Sequence, residues 1–208
     1  MALGYLIGVL MLSALVWLGY GAWRIGAISR GQQIGDRAGT ALLLIDLQTV
    51  FWDDGPYSGG AKAAVQKRIL DEVDVARSSG APVIAVRQEW SIPSTKAIAR
   101  IAMHSQAIEG TSGTELAEPF SECADHVLIK RVQDAFETTE LDSLLQKYEV
   151  GRLRVVGLDL SYCVLKTVLS ARKRGYDVTI VKDGTLAADP NAAARAERLM
   201  LSQNVSIQ

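Results

Sequence analysis

Apolar residues dominate without a charged side chain from Ala2 to Trp23, and nothing later in the chain repeats that run. From Ala41 on the pattern changes. Short apolar stretches such as Ala41-Leu42-Leu43-Leu44-Ile45, Val83-Ile84-Ala85-Val86 and Val178-Thr179-Ile180-Val181 alternate with longer ones in which apolar positions recur every three or four residues. The first pattern predicts one long apolar helix. The second predicts parallel strands buried on both faces, alternating with amphipathic helices.

Taken in order, the soluble part reads as follows. A strand over Ala41–Ile45 ends in Asp46, and a helix over Ala61–Ser79 is closed by Gly80. A second strand over Pro82–Val86 leads to Arg87-Gln88-Glu89-Trp90. Residues Ser91 to Glu122, with Pro93, Gly110, Gly113 and Pro119, form the least regular stretch and read as a lid or binding loop. A third strand over His126–Ile129 ends in Lys130, and a short helix spans Leu141–Tyr148. The fourth strand, Leu153–Gly157, leads through Cys163 into a helix over Val164–Arg174. Strand five spans Val178–Val181. Asp189-Pro190 starts the last helix, with Asp as N-cap and Pro at the first helical position, and Asn204–Gln208 is a sixth strand. The predicted fold is α/β: a three-layer sandwich around a mainly parallel, Rossmann-like six-stranded sheet with right-handed crossovers, preceded by one transmembrane helix.

As a helix the Ala2–Trp23 run is about 33 Å long, enough to cross a bilayer's hydrocarbon core. Tyr5, Trp17, Tyr20 and Trp23 lie toward its ends, as interfacial aromatics do. A cleaved signal peptide or a helix buried in an oligomer are the alternatives. Against the former stand the missing basic n-region and an apolar run longer than an h-region. Arg24, Arg30 and Arg37 follow the run and no Lys or Arg precedes it, so the positive-inside rule places the rest of the chain in the cytoplasm. The predicted organisation is a membrane helix over residues 1–23, a linker over 24–40 and one domain over 41–208.

Composition narrows the function classes. Net charge is −1, with no basic cluster, which sets nucleic acid aside as a partner. There is no Gly-x-Gly-x-x-Gly after the first strand and no phosphate-binding loop. Two cysteines, Cys123 and Cys163, make no disulfide framework, and two scattered histidines, His104 and His126, make no metal site. No cofactor is expected.

Three polar residues each end an apolar strand: Asp46, Lys130 and Cys163. In a parallel sheet all three come to the same carboxyl edge, where α/β proteins bind ligands. Cys163 also lies where a helix begins, a position that favours a thiolate. A carboxylate can accept its proton, an ammonium can stabilise both anions, and backbone N–H groups at the turn can hold an oxyanion.

These residues sit in three motifs: Leu44-Ile45-Asp46-Leu47-Gln48-x-x-Phe51; Ile129-Lys130 followed by Asp134-Ala135-Phe136; and Gly157-Leu158-x-x-x-Tyr162-Cys163-Val164. In these, over Ala41 to Gln208, the chain resembles the isochorismatase-like cysteine hydrolases, which include nicotinamidases, N-carbamoylsarcosine amidases and ureidoacrylate amidohydrolases. The resemblance implies a Cys163, Asp46, Lys130 triad acting on a small amide or ureide through a thioester. It further implies a cis Leu158–Asp159 peptide, an oxyanion hole from the Asp159 and Cys163 amides, a substrate pocket lined by Phe51, Phe136 and Tyr162, and a homo-oligomer (dimer or tetramer). The chain departs from the family at three points. Residues 53–90 hold no histidine, so the metal of nicotinamidases is not expected. Leu160-Ser161 replaces the usual turn residue. Asp134 stands where a serine is familiar, and reads as an extra carboxylate near the pocket entrance. The rival expectation is a membrane-tethered binding or scaffolding protein that kept the fold without turnover.

Overall fold

A computed structural model describes residues 1–208. Helix α1 (Ala2–Ile25) comes first. Six strands follow: β1 (Gly39–Ile45), β2 (Val83–Gln88), β3 (His126–Lys130), β4 (Val150–Gly157), β5 (Asp177–Thr185) and β6 (Ser206–Ile207). Between them lie α2 (Thr49–Trp52), α3 (Gly59–Ser78), α4 (Pro93–Ala102), α5 (Glu140–Lys147), α6 (Leu165–Lys173) and α7 (Pro190–Ser202). Every strand pairs in parallel, in the order β3-β2-β1-β4-β5-β6.

The central strand explains the layers. Leu42 and Leu44 pack with Val65, Ile69 and Val73 of α3 on one face. Leu43 and Ile45 pack with Leu141, Val168 and Met200 of α5, α6 and α7 on the other. Successive side chains point to opposite faces, so an unbroken apolar run is what a doubly covered strand requires. The predicted three-layer sandwich is the observed fold. The strand order reverses between β1 and β4, and the crevice at a parallel sheet's carboxyl edge opens at such a switch point. There Gly157 has φ +116°, and a Cβ would lie 2.2 Å from the Ile45 carbonyl oxygen, so only glycine fits.

Two regions differ from the sequence reading. The irregular 91–122 stretch contains a helix, α4, with Pro93 in its first turn. Its buried face is made of small residues, Ser94, Thr95 and Ala99, which do not read as an apolar stripe; they face α1, where a Cβ on Gly21 would lie 2.8 Å from that of Ser94. The stretch between α1 and β1 has no regular structure and lies on the domain. Ile28 and Ile34 pack against the core. The Ile34 N–H donates to the Arg174 carbonyl at 2.8 Å, and the Ser29 N–H to Asp134 Oδ2 at 2.7 Å. Asp134 is therefore no charge at a pocket entrance. It is fully buried, and its Oδ1 accepts from the Phe136 N–H at 2.9 Å.

Candidate active site

The carboxyl ends of β1, β3 and β4 bring Asp46, Lys130 and Cys163 together. Asp46 leaves β1 with φ +53°, a left-handed conformation that Asp adopts more readily than most residues. Lys130 is the last residue of β3 and is fully buried. Its ammonium lies 3.0 Å from Asp46 Oδ2, 3.3 Å from Cys163 Sγ and 2.5 Å from Gln88 Oε1. Asp46 Oδ1 is buried without a hydrogen-bond partner. Buried carboxylate oxygens are rarely left so, and it is free to accept a proton.

The electrostatics follow from burial. Burial raises the proton affinity of Asp46, against the pull of Lys130. Burial also works against the Lys130 ammonium, but Asp46 and Cys163 outweigh it and hold its pKa above that of an ordinary lysine. The Cys163 thiol is pushed far up, first by burial and then by the Asp46 carboxylate, and Lys130 offsets only part of this. These influences favour the protonated thiol over the thiolate. The cause is local. Cys163 stands in the π-turn Leu160–Val164, the first turn of a helix that continues as α6, yet burial and the neighbouring Asp46 carboxylate outweigh the helix dipole there.

The turn before the cysteine is tightly held. The Leu158–Asp159 peptide is cis, as the resemblance implies. Asp159 caps the π-turn: its Oδ1 accepts from the Ser161 N–H at 2.7 Å, and its Oδ2 from the Ala188 N–H at 2.7 Å and the Tyr57 hydroxyl at 3.2 Å. Burial and Asp159 keep that hydroxyl protonated. With its carboxylate so occupied, Asp159 is fixed at the turn.

Sequence reasoning missed the two glutamines behind the lysine. Gln88 holds the Lys130 ammonium through its Oε1. Gln48 is fully buried; its Oε1 accepts from the Gln88 N–H at 2.6 Å and its Nε2 donates to the carbonyls of Gln88 and Thr114 at 3.0 and 2.8 Å. Gln48 stands within the first motif, which was the available signal. Of the three residues implied for substrate, Phe51 is half-buried between two apolar clusters, Tyr162 is 50% exposed on the π-turn, and Phe136 is elsewhere. The Phe136 ring is fully buried against Tyr176, 5.8 Å between centroids, with the Arg174 guanidinium 4.5 Å above it. It is a core residue, because Asp134 and Arg174 close the space around it.

Residues 40–207 match the model of the isochorismatase domain. The chain belongs to the isochorismatase family. Among curated isochorismatase relatives, a protein of Arabidopsis thaliana named as a probable inactive nicotinamidase is 32% identical over 163 residues, 73% of this chain and 82% of that protein. The pyrazinamidase/nicotinamidase of Streptococcus mutans has the same fold with a TM-score of 0.70 at 22% identity, over 82% of this chain and 100% of its own. The N-carbamoylsarcosine amidase of Thermoplasma acidophilum has a TM-score of 0.69 at 24% identity, over 82% and 96%. The metal that the resemblance attaches to nicotinamidases finds no fit here. No three His, Cys, Asp or Glu side chains stand together as its donors, and His126 lies at the amino end of β3, away from the cysteine.

Proposed function

We propose that this isochorismatase-family protein is a cysteine-dependent hydrolase of a small amide or ureide, anchored in a membrane by α1 with its domain in the cytoplasm. The observation that carries the reading is a fully buried Lys130 ammonium within reach of both the Asp46 carboxylate and the Cys163 thiol. Asp46 takes the thiol proton as Sγ attacks the substrate carbonyl carbon. The oxyanion forms against the Asp159 and Cys163 N–H groups. The C–N bond breaks, and the proton held by Asp46 passes to the departing nitrogen, leaving a thioester. Water then gives a proton to Asp46 and attacks the thioester carbonyl. The acid leaves, and the proton returns to sulfur. Lys130 remains charged throughout. Phe51 and Tyr162 serve as substrate contacts.

A thiol kept protonated at rest suits this scheme, since transfer to Asp46 then accompanies attack. The test is turnover of small amides and ureides by the full chain in detergent, with a search for an acylated Cys163 by mass spectrometry. Equal turnover by wild type and Cys163→Ala overturns the mechanism. The reading of a tethered binding protein without turnover is favoured by the Arabidopsis relative's description as inactive; an acyl adduct on Cys163 eliminates it. A second copy of the chain is the natural cover for Val127 and Ile129, which edge strand β3 leaves 46% and 39% exposed.

A further inference from the structure

Helix α1 is fixed to the domain at the edge that carries the cysteine. Its packed face is Leu18, Gly21 and Ile25, at helical spacing. Gly21 meets Ser94 of α4, and Ile25 is buried with Trp90, Ala99, Ala107 and Ile108. Arg24 pairs with Glu137 at 2.9 Å, and the Gln133 N–H donates to the Ile25 carbonyl at 3.0 Å. Gln133 lies three residues beyond Lys130, and Trp90 two beyond Gln88. No hinge separates the helix from this edge.

Before Leu18 every residue of α1 is exposed. The free part, Ala2 to Trp17, is sixteen residues, about 24 Å of helix. The hydrocarbon core of a bilayer is about 30 Å thick. The docked turns, Leu18 to Ile25, are the carboxyl end of that same apolar helix, so a helix that crosses here leaves the hydrocarbon where it meets the domain.

Resting on the anchor reading above, we propose that the carboxyl edge of the sheet is seated on the bilayer surface, with α4 and the last turns of α1 in the lipid headgroup layer. The exposed side chains there fit that depth. Tyr20 and Trp23, 49% and 66% exposed, lie 5.7 Å apart on the docked turns. Aromatics of this kind settle at the headgroup level. On α4, Ile101 is 77% exposed beside an exposed Arg100. The cysteine site then draws its substrate from the layer of solution and headgroups at the membrane face.

The test uses the full chain in phosphatidylcholine vesicles, with Cys123→Ser and Cys163→Ser removing the native thiols. Single fluorophores are placed through Leu10→Cys, Ile101→Cys or Lys147→Cys, the last at the amino edge of the sheet. Lipids with a nitroxide in mid-chain should quench the Leu10 probe. Lipids with a headgroup nitroxide should quench the Ile101 probe several-fold more than the Lys147 probe. Inserting four apolar residues after Leu10 lengthens the rod by about 6 Å and should at least halve quenching at Ile101. With Leu10 quenched, equal quenching at Ile101 and Lys147, or an Ile101 signal indifferent to the insertion, overturns the seating and leaves the anchor standing. A Leu10 probe untouched by mid-chain nitroxide overturns both.

Discussion

Two charge clusters, each around a buried cation, are built on opposite principles. In one, Arg174 gives both Asp142 oxygens a partner, at 2.8 and 3.1 Å, and spends its remaining N–H groups on Ser29 and Ser170. In the other, Lys130 reaches three partners while Asp46 Oδ1 has none. A saturated network locks an arrangement, here the seam between residues 27–34 and α6. An unsaturated one keeps a proton acceptor available at an energetic cost, which a fold tolerates where chemistry is done. The Asp142 side chain is 31% exposed and that of Asp46 2%, and the clusters differ above all in whether every donor and acceptor is already used.

Substitutions can break that contrast. Lys130→Met should reduce turnover on the order of 10³-fold or more, as losses in a concerted catalytic unit do. It should cost less stability than its burial implies, because Asp46 already holds a raised proton affinity and can neutralise itself. Arg174→Met should do the reverse, lowering stability by about 3 kcal/mol with turnover per folded molecule retained. That corresponds to a drop of roughly 6–12 °C in Tm by calorimetry. If both variants lose activity and stability together, the two clusters are not separable. Asp134→Ala should cost about 1–3 kcal/mol by orphaning the buried N–H groups of Ser29 and Phe136, read by the same melt.

The smallest effects are in pH. Cys163 holds its proton more tightly in the fold than the ordinary thiol value of 9.0. Between that value and its folded pKa the native state therefore binds more protons than the unfolded chain, so stability falls as pH rises past 9. Lys130, raised above 10.5, adds a loss in the same direction at still higher pH. Melts from pH 7 to 10.5 should show the decline, and Cys163→Ala should flatten its first part. For the same reason iodoacetamide should label free Cys163 slowly at pH 7. Fast labelling there would mean a resting thiolate.

Much of the site was legible because the chemistry sits at strand ends. Apolar runs ending in Asp46 and Lys130, and one leading into Cys163, place three residues on one edge once the strands are known to be parallel. What escaped depended on contacts between distant residues. Helix α4 hid because its buried residues are small ones, Ser94, Thr95 and Ala99, with Ile98 beside them against Gly21. Asp134 and Phe136 looked like pocket residues until Ser29 and Arg174, from elsewhere in the chain, closed over them. Gln88 looked like the tail of a strand, since nothing local tells that its amide faces a lysine. The state of the thiol could not be read from its place before a helix, since burial and Asp46 outweigh the dipole.

The docking of α1 also bears on how the protein is handled. Trimming the chain at β1 to obtain a water-soluble form would strip Ile28 and Ile34 from the core and leave Asp134 and Arg174 facing empty space. A cut just ahead of Leu18 would spare those contacts and remove only the part of the helix that touches nothing.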